Sequence, residues 1–114
     1  MKKYLSIFIL LINNVFTSNV YADNHMENYQ NKIKAANQGD VSAQYNLGVM
    51  YSNGYGVIKN YTLSYMWLIL AKYHNDNYAD NAINNIKNRM TSVQVNKSQK
   101  MARICFESGY TKCN

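Results

Sequence analysis

The sequence contains no proline, only five glycines and only two cysteines among its 114 residues. Without proline, and with so little glycine, it is neither collagen-like nor a Pro-rich or Gly-rich linker. Two cysteines and two histidines are also poor material for a structural zinc site, which takes four N or S ligands. His25 and His74 lie 49 residues apart and out of ligand spacing with the cysteines, so no metal and no cofactor is expected. Charge is sparse at 16%, against 47% hydrophobic residues, and tyrosine (11) and asparagine (18) are plentiful. Amphipathic rings with few charges are not the composition of a disordered tail, and the length fits about one domain.

The N-terminus reads as a processing segment. Lys2 and Lys3 are followed by a run over 4–12 that is apolar but for Ser6. That run is too short to cross a ~30 Å hydrocarbon core as a helix. Polar residues follow, and then Val20-Tyr21-Ala22, with small side chains at the positions a signal peptidase accepts. Cleavage is expected between Ala22 and Asp23, making 1–22 a signal peptide and 23–114 the folded domain; a short membrane anchor is the alternative. The cleaved chain keeps ten basic and six acidic residues, a net charge of +4. The basic residues are scattered apart from Lys97, Lys100 and Arg103, which read as a solvated helix face. So dilute a charge argues against a nucleic-acid partner. After cleavage no membrane association is expected, and the location is periplasmic or secreted.

Cys105 and Cys113 both fall in the mature chain, where two thiols usually pair. Eight residues of straight helix rise about 12 Å, more than a disulfide spans, so the chain must turn back, and Gly109 supplies the break. Free thiols or an intermolecular bridge are the alternatives to an intramolecular Cys105–Cys113 bond.

Sliding the sequence by 36 residues reveals an internal repeat. Tyr29 falls on Tyr65, Ala35 on Ala71, Asp40 on Asp76, Ala43 on Ala79, Leu47 on Ile83 and Met50 on Ile86. Periods of this size mark stacked units that cannot bury their apolar faces alone. Within a unit, Asp40 reads as an N-cap, and Ala43, Leu47, Met50 and Tyr51 form one helical face. Gly48, in mid-helix, costs about 1 kcal/mol relative to alanine, which predicts a close helix–helix approach. Asn53-Gly54-Tyr55-Gly56 ends this helix, and Asn60 caps the next. That second helix is apolar nearly all round and should be sandwiched between neighbours. Asp76 restarts the pattern, Thr91 and Gln94 form a capping box, and Val95, Ser98, Met101, Ala102 and Cys105 share the inner face of the last helix. A half-hairpin over 27–38 precedes the first full unit. The fold class is all-α, built of antiparallel helical hairpins with a C-terminal capping helix.

Over 36–57 the chain resembles a Sel-1-like repeat, of the form A-x-x-G-x-x-x-A-x-x-x-L-G-x-x-Y-x-x-G-x-G-V. Ala36, Gly39, Ala43, Leu47, Gly48, Tyr51, Gly54, Gly56 and Val57 all fall in place. Asn60-Tyr61, Trp67 and Ala71 continue the unit over about 36–72, and 76–108 resembles a degenerate repeat with its capping helix. Ile58 stands where the family usually has proline, and Asn60 where it has aspartate. The resemblance implies an α/α superhelix, related to tetratricopeptide arrays, that binds other proteins.

No catalytic constellation emerges. Asp40 and Asp76 are repeat-equivalent caps, not an acid–base pair, and His74 reads as a helix-end residue. Tyr51, Tyr61, Tyr65 and Trp67 have the helical spacing of a packed core. The expected function is therefore an exported, non-enzymatic adaptor whose partner is another protein, with self-association through the open end of the stack as an option. Gln44, Asn46, Asp80 and Asn84 are nominated for the contact because they lie off the Ala43/Leu47 and Ala79/Ile83 stripes. The alternatives are a secreted effector acting on host proteins and a disulfide-bearing Sel-1-like enzyme. The second requires His74 in a deep polar pocket.

Overall fold

The computed structural model describes residues 24–113. The signal-peptide reading and the Ala22/Asp23 junction lie outside the described residues. Helix α1 covers 24–36, followed by α2 (Val41–Asn53), α3 (Tyr61–Tyr73), α4 (Asn77–Lys87) and α5 (Ser92–Glu107). Among the described residues there is no strand, and the helices pack on one another as an all-α stack of hairpins.

The helix starts are set by side chains that satisfy otherwise free backbone N–H groups. The Asp40 carboxylate accepts from Ala43 N at 2.7 Å. The Asn60 carbonyl accepts from Leu63 N at 3.0 Å, and Asp76 accepts from Tyr78 N at 2.9 Å. At α5 the capping box is complete: Gln94 N donates to Thr91 Oγ1, and Thr91 N donates to Gln94 Oε1. The 36-residue shift thus places equivalent caps on α2 and α4. It also places equivalent buried residues, Ala43 with Ala79 and Leu47 with Ile83, on their inner faces.

Helix α3 is the centre of the stack. Residues 64–71 are all buried, because α2, α4 and α5 pack against different sides of this helix. Its wholly apolar character is the sequence signature of that sandwiching. Gly48 of α2 meets it at the closest approach. A Cβ on Gly48 would lie 2.6 Å from Leu68 and 3.2 Å from the Ser64 carbonyl oxygen. The same proximity lets Ser64 Oγ donate to the Gly48 carbonyl at 2.6 Å. On the other side of α3, Ser98 Oγ of α5 donates to the Thr62 carbonyl at 2.8 Å. Trp67, Tyr65 and Tyr51 are buried in the core, as their spacing predicts, and Tyr61 is half-buried at its edge.

Helix α1 covers the remaining flank of α2. Tyr29 and Tyr51 share a hydroxyl hydrogen bond of 2.8 Å with their rings edge to face. Burial, reinforced by that bond, pushes the Tyr51 phenol well above the ordinary tyrosine range. At the C-terminal end, Gly109 takes a positive φ of 65°, and the chain folds back to join Cys105 and Cys113 in a disulfide with Cα atoms 4.3 Å apart. Tyr110 then lies against Gly39 of the α1–α2 turn, and its hydroxyl meets His74 Nε2 of the α3–α4 turn at 2.6 Å. Three turns are drawn together at this end of the stack.

Candidate interaction surface

Helices α2 and α4 run in the same direction, since each is separated from α3 by one reversal of the chain. Their outer stripes face each other across a groove of about 580 Å³. From α2 come Tyr45, Val49, Ser52 and Asn53, and from α4 come Tyr78, Asn81, Ala82 and Asn85. Arg89 closes the same end as Asn53, and Ile86 also lines the groove. The intervals of three and four residues are those that keep side chains on one helix face. The 36-residue shift carries Tyr45 onto Asn81, Val49 onto Asn85 and Asn53 onto Arg89. The groove is therefore a repeat feature: the same three positions of each unit line it.

Its chemistry is neutral and polar along the length and cationic at one end. No lining residue is acidic. At the far end from Arg89, the Tyr45 and Tyr78 rings stand 6.2 Å apart in a tilted pair, and Tyr78 is 74% exposed. At the Arg89 end, Nη1 donates to the Tyr61 hydroxyl at 3.5 Å. The Lys59 ammonium lies 5.2 Å from the centre of the Tyr61 ring. Hydrogen bonding from Arg89, and then from Lys59, lowers the Tyr61 phenol below the usual tyrosine range. Helix C-termini at this end carry partial negative charge, but their carbonyls are partly engaged. Met50 O accepts from Gly54 and Tyr55 N, Tyr51 O from Asn60 N, and Ile86 O from Arg89 N.

The four nominated contact residues do not gather at this groove. Gln44 is a correction: it is 0% exposed, because α1 covers the face of α2 just beyond the Ala43 stripe. Its Nε2 donates to the Ala36 carbonyl at 3.2 Å. Asn46 is half-buried and lines a separate groove with His25, Lys32 and Tyr55. Asp80 is exposed and pairs with Lys72 at 2.7 Å, and the carboxylate raises the Lys72 ammonium above its ordinary value. Asn84 is exposed beside Asp80 on the α3–α5 side of α4. Tyr45, Val49, Asn81, Asn85 and Arg89 were the residues to choose. Superposing the two units and keeping the positions turned away from the α3-facing stripe picks them out.

Among the described residues no group of three or more His, Cys, Asp or Glu side chains is placed to hold a metal ion. His74 is exposed at the end of α3 and stacks near Tyr110 and Phe106, rather than standing in a deep pocket. Asp40 and Asp76 are engaged as caps. No helix of the described residues is long and apolar enough to cross a membrane.

Compared with known families, residues 41–76 match the model of the Sel1 repeat. Neither the curated proteins nor the solved structures give a match. The matched segment runs from the first residue of α2, through α3, to the cap of α4, one whole hairpin with its following cap. Sel1 repeats generally mediate protein–protein interaction. The two-helix unit, the glycine approach at Gly48 and the matched segment coincide, and the chain is a Sel-1-like repeat protein through residues 41–76.

Proposed function

We propose that this protein is an exported adaptor that binds another protein in the groove between α2 and α4. The observation that carries the reading is the construction of that groove from equivalent positions of successive units. A stacked array presents such a surface in register, and nothing within the described chain covers it. Export is supported by the charged, apolar and small-residue segments of 1–22 and by the disulfide, which persists in oxidising compartments.

Affinity capture from the exporting compartment tests the binding, with wild-type protein beside a Tyr78→Ala, Asn85→Ala double variant. Both sites are exposed, so the variant should keep its helical spectrum and melting temperature. A partner recovered by wild type and lost with the variant is the expected result. A partner retained equally by both would remove the groove from the interface. N-terminal sequencing of the mature protein tests export, with Asp23 as the expected first residue.

A further inference from the structure

We infer that the α2/α4 groove takes an extended polypeptide segment bearing a carboxylate side chain, its backbone on Asn81 and Asn85 and its carboxylate at Arg89. The inference rests on the reading of the groove as the protein's interaction surface and names what that surface accepts.

The spacing comes first. Asn81, Asn85 and Arg89 succeed one another at intervals of four residues along and just past α4. Four residues of helix rise about 6 Å. Two residues of extended chain advance about 6.6 Å, and side chains two apart point the same way. A row of groups on α4 therefore keeps step with alternate residues of an extended segment lying beside it. Over the short row from Asn81 to Arg89 the mismatch accumulates to only about 1 Å. Each Asn carboxamide offers both a donor and an acceptor, the complement of the N–H and C=O of one peptide unit. Asn53, facing them from α2, offers the same pair from the opposite wall.

Charge then selects the residue at the end of the row. The groove has no acid of its own. Of the acidic side chains nearby, Asp40 and Asp76 are held by helix N-termini, and Asp80 is paired with Lys72. The Arg89 guanidinium has only the long 3.5 Å contact to Tyr61. It presents several further N–H donors in a fork that matches a carboxylate. Lys59 stands at the same phenol, and the lowered Tyr61 value reports the positive potential the two cations create there. A carboxylate arriving at this end meets two cations and a phenolic hydroxyl. The occupant is thus a segment with Asp or Glu two positions beyond the residue whose backbone meets Asn85.

A random-peptide display library, selected on the purified oxidised protein, is the test. Wild type should enrich peptides carrying Asp or Glu at one fixed register position. A synthetic peptide of the enriched sequence should bind roughly tenfold more weakly when that acid becomes its amide, the size of a charge-assisted hydrogen bond. Arg89→Gln should bind the acid and amide peptides equally, while Arg89→Lys should keep part of the preference. Arg89 is exposed, so unchanged melting temperatures are expected for both variants. Enriched peptides without an acidic position, or a preference for the acid that survives Arg89→Gln, would overturn the inference and leave the interaction surface standing. Failure of wild type to enrich any peptide would overturn the inference and the peptide-binding surface together.

Discussion

Gly48→Ala sets two effects of opposite sign against each other at one site. In an isolated helix the change should stabilise by about 1 kcal/mol, since alanine is the better helix former. In this protein the new Cβ would sit 2.6 Å from Leu68 Cγ and Cδ2, a separation that packed atoms do not tolerate. Leu68 is buried in α3, so its branch point has no empty space to enter. Either α2 and α3 move apart or Leu68 leaves its rotamer, and such overpacking costs about 1–3 kcal/mol. Separation also stretches the 2.6 Å bond from Ser64 Oγ to the Gly48 carbonyl, worth about 0.5–1.5 kcal/mol. The net is a destabilisation of about 2 kcal/mol. For a domain of this size that lowers the melting temperature by about 8–16 °C. Thermal and urea unfolding followed by circular dichroism provide the measurement. A cycle with Leu68→Ala isolates the contact, because removing the leucine side chain relieves the clash and should give a favourable coupling of about 1–2 kcal/mol. A Gly48→Ala protein as stable as wild type, or more stable, would refute the claim that the helices meet at this residue.

Replacing both cysteines by serine opens the Cys105–Cys113 link and should cost about 2–3 kcal/mol for a loop this short; intact mass with and without alkylation establishes the starting state, and an unchanged melting temperature would sink the prediction. Gln44→Glu places a carboxylate at a buried site facing the Ala36 carbonyl, for a loss of about 3 kcal/mol or more at neutral pH. Its raised folded-state pKa means that the deficit closes near pH 4, where the protonated acid donates to that carbonyl, and reopens as pH rises; equal deficits in urea melts at pH 4 and 7 would contradict this. Tyr51 is also raised, so its stabilising contribution is complete below the unfolded value of about 10 and is lost as pH climbs above it. Tyr51→Phe should be less stable by about 1 kcal/mol at pH 7, through loss of the Tyr29 bond, and should lose less stability than wild type above pH 10. Parallel alkaline limbs for the two proteins would count against it.

Much of the fold was legible because it is written in local terms. Asp40, Asn60, Asp76 and Thr91 cap helices through contacts within three residues, which spacing alone reveals. The apolar stretch of α3 announced a helix covered on several sides, and glycine in the middle of α2 announced a neighbouring backbone. Gly109 between two cysteines announced a chain reversal. Each of these features depends on the identity of a residue and its immediate neighbours.

The interaction surface was less legible, and Gln44 shows why. Along α2, Gln44 is simply a polar residue beside Ala43, and helical periodicity turns it away from the stripe that meets α3. Whether that other side faces water depends on α1, a segment separated from it by a turn, which lays the Ala36 carbonyl over the Gln44 amide. The groove has the same origin. The 36-residue period already equated Tyr45 with Asn81, Val49 with Asn85 and Asn53 with Arg89, but it did not say that these rows face one another or that Arg89 and Lys59 converge on Tyr61. Helix type, boundaries and the repeat follow from hydrogen bonds and apolar spacing over a few residues, and the sequence by itself determines them. Which polar side chains are covered, and which line a shared surface, is decided by helix docking across turns, where side chains far apart in the chain exclude water from one another.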